Sequence, residues 1–123
     1  MNKIKNCAKE VWSELGGGYL EDVYNKALAV EFRTKNLNFD REYNVDVVYK
    51  DHLVGVRRLD FYLPYPTKTI VELKAIQKLK PEHERQLQTY LDLLGLRKGL
   101  LINFGHDELD IREVLCSAQP VEE

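Results

Sequence analysis

Apolar residues recur at intervals of three and four along the first third of the chain, which is the pattern of amphipathic helices. The first apolar stripe covers residues 4–15 and predicts a helix. Three glycines, Gly16 to Gly18, predict its end because glycine is costly inside a helix. A second stripe over residues 20–31 predicts another helix that ends near Asn36. The chain therefore begins with two helices.

From residue 42 the apolar positions alternate with polar ones, as expected for strands that bury one face. Residues 42–49 predict one strand, residues 50–52 a turn, and residues 53–63 the returning strand of a hairpin. Prolines follow directly and end that strand, because proline has no N–H to donate to a neighbouring strand. Residues 69–75 predict a third strand.

A third helix and two more strands complete the predicted order. Pro81 suits the first turn of a helix and Gly95 suits its C-cap. Residues 99–105 predict a buried strand and residues 109–115 an edge strand, whereas the acidic end, residues 120–123, is expected to fray. This order predicts an α/β (α+β) fold, a mixed sheet with helices on its faces.

Composition narrows the class of protein. The chain has 123 residues, 44% of them hydrophobic, and a formal net charge of −2, which predicts one globular domain over residues 1–123 with its core at about 4–116. This charge excludes a generally cationic nucleic-acid coat. No apolar run suits a membrane span or signal peptide, and Cys7 and Cys116 form no CxxC pair. We therefore expect a cytoplasmic protein with reduced thiols and no membrane partner.

Candidate chemistry lies on the second and third predicted strands. Glu72 and Lys74 are two residues apart and so share one face of their strand, and Asp60 is on the neighbouring strand. Two converging carboxylates offer the oxygen ligands that Mg²⁺ prefers, and Lys74 could orient a water. The structural alternative is an exposed Glu–Lys ion pair worth about 0–1 kcal/mol beside an ordinary strand aspartate.

Three further patterns bear on this alternative. Gln86 and Tyr90 are four residues apart on the third helix and share a face that could meet nucleic acid, although Tyr90 could equally pack in the core and Gln86 be solvated. Gly18, Glu21 and Tyr24 open the second helix, where Glu21 is either a carboxylate favoured by the helix dipole or a third acidic group at a metal. Residues 57–98 carry nine Lys or Arg against five Asp or Glu, which favours a basic face nearby.

Together these residues resemble the GxxExxY family, a group assigned to the PD-(D/E)XK nuclease superfamily. The resemblance covers residues 11–115 and rests on five ordered blocks: Gly18-x-x-Glu21-x-x-Tyr24, Arg58-Leu59-Asp60, Val71-Glu72-Leu73-Lys74-Ala75, Gln86-x-x-x-Tyr90-Leu91 and Gly99-Leu-Leu-Ile-Asn103-Phe-Gly105. One departure is Leu59, which stands where the superfamily's name has proline.

The resemblance implies a restriction-endonuclease-like αβββαβ core and a role for each motif. Asp60 and Glu72 correspond to metal-binding acids, Glu21 to a helical glutamate that completes the metal site, and Lys74 to the catalytic lysine. Gln86 and Tyr90 correspond to a motif that supports the site and the nucleic-acid path.

We therefore expect a Mg²⁺- or Mn²⁺-dependent nuclease that acts on DNA, with RNA as the alternative substrate. The Leu73 carbonyl is a further expected metal ligand, and Arg58 and Arg85 are expected to contact nucleic acid beside Gln86 and Tyr90. A homodimer or a protein partner could select the substrate. The alternative is a non-catalytic module that binds nucleic acid or protein on the same fold.

Overall fold

The computed structural model describes residues 1–117, which form three helices and five strands in the predicted order. The predicted frayed end, residues 120–123, lies outside the described residues. Within the described part of the chain, no helix has both the length and the apolar character required to cross a membrane. The elements are α1 (Asn2–Leu15), α2 (Glu21–Thr34), β1 (Asp40–Tyr49), β2 (His52–Leu63), β3 (Thr69–Lys74), α3 (Pro81–Leu94), β4 (Lys98–Phe104) and β5 (Leu109–Leu115).

The five strands form one sheet in which spatial order equals sequence order, from β1 to β5. Three of the four neighbouring pairs are antiparallel, and β3 and β4 are parallel. The parallel pair requires a crossover connection, and α3 supplies it. Gly95 ends α3 in the left-handed conformation, with φ of 68°, as its position after the last leucine predicts. The predicted mixed sheet is confirmed.

Helices cover both faces of the sheet. On one face α1 and α2 bury the first core cluster, whose sheet members include Phe61, Leu63, Val71, Leu73 and Phe104. On the other face α3 buries a second cluster through Leu87, Tyr90 and Leu91, against Val45, Leu59, Ile70 and Leu101 of the sheet. The division of apolar residues between two faces accounts for the alternation in β3, where Ile70 belongs to one cluster and Val71 to the other.

At Asp60 the regular alternation of side chains between the two faces of the sheet is interrupted in β2. Residues two apart on a regular strand point to the same face, but Leu59 packs in the α3 cluster and Phe61 in the α1/α2 cluster. Opposite this point on β1, Glu42 has a positive φ of 55°. From Phe61 onward β2 pairs with β3, and before Asp60 it pairs only with β1. Before Phe61, β2 therefore has no strand partner on its β3 side, and a cleft lies there between α2 and the hairpin of β1 and β2.

Candidate active site

Asp60 and Glu72 take the place of backbone hydrogen bonds where β2 and β3 separate. The backbone N–H of Asp60 donates to Oε1 of Glu72 over 2.7 Å, and the backbone N–H of Leu73 donates to Oδ2 of Asp60 over 2.8 Å. Each carboxylate thus accepts a backbone N–H from the other's strand. This reciprocal arrangement fixes both acids at the point where the two strands separate, because neither can rotate without breaking a bond to the main chain.

Burial raises the pKa of both carboxyl groups, but they act on each other in opposite directions: the charge of Asp60 raises the pKa of Glu72, whereas a hydrogen bond with the Glu72 side chain lowers the pKa of Asp60. Burial, followed by the charge of Asp60, raises the pKa of Glu72 to about 8. Burial also raises the pKa of Asp60, although the Leu73 N–H and the Lys74 charge oppose the rise. Two buried acids this close repel each other when both are ionised, so a cation placed between them would relieve the repulsion.

Lys74 supplies the positive charge nearest to these acids. It follows Glu72 by two residues at the end of β3, and its charge lowers the pKa of Asp60, Glu72 and Glu21 alike. Within residues 1–117 its ammonium group forms neither a hydrogen bond nor an ion pair. The structure thus brings a half-buried lysine close to the acids without tying it to one of them.

Glu21 approaches the pair from the first turn of α2. Partial loss of solvent around its carboxyl, followed by the charge of Asp60, raises the pKa of Glu21. The same carboxyl lies at the positive end of the helix dipole, which favours its ionised form. Glu21 therefore faces Asp60 across the cleft from the helical layer.

Tyr24 and the glycines before it hold the start of α2 in place. The Tyr24 hydroxyl donates to the Gly16 carbonyl over 2.7 Å and accepts the Tyr19 N–H over 3.3 Å. Its ring is fully buried and stacks on Phe104 of β4 with centroids 4.5 Å apart. Tyr24 is thus a core residue, as its spacing predicts, and its hydroxyl also closes the loop that leads to Glu21.

A cleft of about 530 Å³ lies between α2 and the β1–β2 hairpin. Glu21 and Asp60 line it together with Arg58, whose guanidinium is exposed and 3.9 Å from Glu42. Acidic and basic groups therefore share the walls of this cleft. Its described lining residues are Glu21, Asp22, Asn25, Lys26, Arg41, Glu42, Arg58 and Asp60.

The remaining sequence-predicted residues lie on α3. Tyr90 is 8% exposed and packs in the α3 cluster, and Gln86 is exposed on the same helix. Arg85 lines a separate groove between α3 and β5, on the far side of the sheet from β2. The structure therefore brings Asp60, Glu72, Lys74, Glu21 and Arg58 to one region and leaves Arg85 outside it.

Two side chains at the site were not predicted from the sequence. Nδ2 of Asn25 donates to Oδ1 of Asp60 over 3.1 Å, and a guanidinium nitrogen of Arg41 donates to Oδ1 of Asn25 over 2.7 Å. Asn25 lies four residues after Glu21, one helical turn away on the same face, and this spacing could have indicated it. No local pattern indicates Arg41, which reaches the site from β1.

Asn103 fixes the segment that follows Lys74. Its amide oxygen accepts the Ile76 N–H over 3.0 Å and its amide nitrogen donates to the Ile76 carbonyl over 2.9 Å. The side chain is 2% exposed and replaces the strand partner that Ile76 would otherwise need. The sequence indicates only a buried strand at this position, and Asn103 is the polar exception in it.

The acids offer oxygen donors suited to a hard divalent cation. Oε2 of Glu72 accepts no hydrogen bond from residues 1–117, and Mg²⁺ is commonly held by one or two carboxylates while it keeps several waters. In the same part of the chain, no three His, Cys, Asp or Glu side chains are close enough together to hold an ion. The residues thus fit a cation held by Asp60 and Glu72, with Glu21 farther out.

Comparison with known proteins gives a family and a fold. A model described as the PD-(D/E)XK nuclease superfamily matches residues 1–114. The solved structure of SSO0001 is similar to this chain with a TM-score of 0.63 and 20% identity, over 80% of this chain and 52% of the other. The chain thus spans about half the length of that protein. Among curated proteins, none matches.

Proposed function

Because the chain belongs to the PD-(D/E)XK nuclease superfamily, we propose that it is a divalent-metal-dependent nuclease that hydrolyses phosphodiester bonds of DNA. The observation that carries the proposal is the reciprocal bonding of Asp60 and Glu72 to each other's strands, with Lys74 two residues farther on. A buried pair of repelling acids is costly to a fold, so its presence at an open cleft favours a functional role.

Each residue has a distinct part in the proposed reaction. Asp60 and Glu72, with the Leu73 carbonyl, would hold Mg²⁺ or Mn²⁺, and Glu21 would contact it through the open side of the cleft. A bound ion of this kind lowers the pKa of a water and stabilises negative charge on a phosphate. Lys74, which has no competing partner among the described residues, would orient the attacking water toward the phosphorus.

Nucleic-acid contacts are proposed on the rim of the cleft. Arg58 is exposed beside Asp60 and could meet a phosphate next to the one that is cleaved. Gln86 and Tyr90 would support the path from α3. Arg85 lines the groove between α3 and β5. It would contact a phosphate only if the substrate continues around α3.

The proposal is tested with a Lys74→Ala variant. The parent protein and the variant are incubated with Mn²⁺ and labelled single- and double-stranded DNA and RNA. Loss of the group that orients the attacking water is expected to slow cleavage by about 10²-fold. The thermal midpoint is expected to stay near that of the parent, because the Lys74 side chain forms no hydrogen bond within residues 1–117.

Lys9→Ala is the matched control, since Lys9 is an exposed lysine on α1. It should cleave like the parent. Equal cleavage by the parent and Lys74→Ala would contradict the proposed mechanism, and cleavage of RNA alone would correct the substrate from DNA to RNA.

A non-catalytic binding module on the same fold is the second candidate. It is favoured by the absence, within residues 1–117, of three metal-ligand side chains close together. Calorimetry separates the two candidates. A nuclease should bind Mn²⁺ with a heat that Asp60→Asn and Glu72→Gln remove, whereas a binding module should give no heat that depends on these residues.

A further inference from the structure

A chain of two hydrogen bonds leads from the surface to Asp60. Arg41, the second residue of β1, donates to Oδ1 of Asn25 over 2.7 Å, and Nδ2 of Asn25 donates to Oδ1 of Asp60 over 3.1 Å. Asn25 is half-buried on α2, and Arg41 is exposed at the outer wall of the cleft. Three elements, β1, α2 and β2, therefore converge on a single carboxylate oxygen.

The direction of these bonds is fixed by chemistry. A guanidinium group can only donate, so Arg41 must face the oxygen of the Asn25 amide, and the amide nitrogen is then turned toward Asp60. An ionised carboxylate can only accept, which matches the same orientation. At position 25, a side chain that lacks either a donor or an acceptor would therefore break this chain of hydrogen bonds.

We propose that Asn25 and Arg41 are positioning residues that hold the carboxylate of Asp60 in one orientation. The Asn25 amide restrains Oδ1 and the Leu73 N–H restrains Oδ2, so the carboxylate cannot turn about its own axis. Each oxygen keeps a further lone pair with which it could bind a cation. Arg41 acts on Asp60 only through Asn25, since among residues 1–117 it forms no hydrogen bond or ion pair with Asp60 itself.

The role in metal binding rests on the proposed nuclease function, whereas the restraint on Asp60 does not. Groups that orient a ligand typically change metal affinity by about 10- to 100-fold when they are removed. A merely structural link between α2 and β1 would instead change the stability of the protein and leave the affinity unchanged. The two roles are therefore distinguishable.

The first measurement is Mn²⁺ affinity by calorimetry on the full chain. Asn25→Ala is expected to weaken Mn²⁺ binding about 10- to 100-fold, and Arg41→Ala is expected to weaken it less. The double variant should bind as Asn25→Ala does, because Arg41 acts through Asn25. Arg41→Lys should recover part of the loss, since an ammonium group can also donate to the amide oxygen.

Matched controls are Asn38→Ala and Arg97→Ala, which alter exposed residues outside the cleft. Both should bind Mn²⁺ like the parent. Unchanged affinity in Asn25→Ala, or an equal loss in Asn38→Ala, would overturn the proposal. Additive losses in the double variant would overturn the part assigned to Arg41.

The second measurement uses the metal-free protein and follows amide hydrogen exchange at Leu73. If Asn25 restrains Asp60, Asn25→Ala should speed exchange at Leu73, because its N–H donates to the same carboxylate. Exchange at Leu101, in the middle of β4, serves as the internal reference and should not change. If the parent shows no Mn²⁺ heat, the nuclease proposal fails, and exchange at Leu73 still decides whether Asn25 restrains Asp60. Unchanged exchange at Leu73 overturns the restraint itself.

Discussion

Main-chain groups, more than counter-charges, hold Asp60 and Glu72 in place. The backbone N–H donors of Asp60 and Leu73 fix the geometry of the pair, and Lys74 compensates the charge only in part. Because burial and the charge of Asp60 disfavour ionisation, the pKa of Glu72 is about 8 in the folded chain. In the absence of a cation, these acids therefore reduce the stability of the protein in neutral solution.

This repulsion predicts the direction of the pH dependence of stability. The pKa of Glu72 is about 8 in the folded chain and 4.5 in its ordinary state, so between these values the folded state binds a proton that the unfolded state has lost. The free energy of unfolding should therefore fall as the pH rises from about 5 to 8, by about 1–3 kcal/mol more in the parent than in Glu72→Gln. Urea unfolding of both proteins at several pH values, without divalent cations, measures the difference. Parallel pH profiles would contradict the prediction.

At the scale of single residues, the sequence predicts which side chains share a face of a helix or strand, because that follows from the short repeat of the element. Glu72 and Lys74 share a face because strand side chains alternate, and the structure has both half-buried beside Asp60. Asn25 and Arg41 escaped prediction because they meet across 16 residues, and Asn25 meets Asp60 across 35. Hydrogen bonds of this kind depend on how β1, β2 and α2 pack, so the helical spacing of Glu21 and Asn25 could indicate the position of Asn25 but not its partners.

The loop between α1 and α2 rests directly on the turn after β4. A Cβ atom added to Gly17 would lie 2.3 Å from the His106 carbonyl oxygen and 2.8 Å from that of Gly105. Only a residue without a side chain allows this approach. The glycines, which the sequence indicates merely as the end of a helix, therefore also set the position from which α2 and Glu21 begin.

Gly17→Ala should destabilise the protein by about 2–3 kcal/mol, because the new methyl group would meet two backbone oxygens that have little room to move. Gly55→Ala is the control, since its Cβ would lie at an ordinary 3.8 Å from the Val47 Cβ. That change should stay within about 0.5 kcal/mol of the parent. Urea denaturation measures both. Similar losses in the two variants would show that the loop tolerates displacement.

Tyr24→Phe removes the hydroxyl of Tyr24 and keeps its ring, so it measures the contribution of the hydroxyl alone. The ring would still stack on Phe104, but the Gly16 carbonyl would lose its donor, at a cost of about 1–2 kcal/mol in the free energy of unfolding. Cleavage should fall as well, because the loop before Glu21 loosens. Tyr65→Phe, which alters a tyrosine that is 68% exposed, should leave both quantities unchanged. Full stability in Tyr24→Phe would argue against this anchoring role.

The bounds of helices and strands are easier to predict from the sequence than the way these elements pack together. The bounds of β5 match the expectation, and those of the other elements fall within a few residues of it, because apolar period and glycine or proline stops determine them. The sequence indicates residues 53–63 as one regular strand. The change of facing at Asp60 arises instead from packing, since Leu59 and Phe61 serve opposite faces of the sheet.

Across the molecule, the basic residues between positions 57 and 98 do not gather at one surface. Arg58 lines the cleft with Asp60, whereas Lys78 and Lys80 line a groove of about 890 Å³ beside Asp107 and Glu108. Arg85 belongs to a third groove. A count of charges along the sequence therefore does not predict how these residues are distributed over the surface.

Metal binding should be visible in the stability of the whole chain. A ligand that binds only the folded state at 100 times its Kd stabilises it by about 2.7 kcal/mol. The thermal midpoint of the parent should therefore rise with Mn²⁺ concentration and return to its starting value on chelation, whereas Asp60→Asn should show no rise. An equal rise in both proteins would place the bound ion elsewhere.

The agreement of spatial and sequence order in the sheet has a consequence for synthesis. Every strand pairs with its neighbour along the chain, so the sheet can grow by short closures as the polypeptide leaves the ribosome. The N-terminal helix is the exception. Lys5 on α1 meets Glu113 on β5 across 108 residues, with 2.6 Å between Nζ and Oε2. Leu109 and Ile111 of β5 also pack against the core cluster that contains the buried residues of α1, so α1 completes its packing only once β5 has been made.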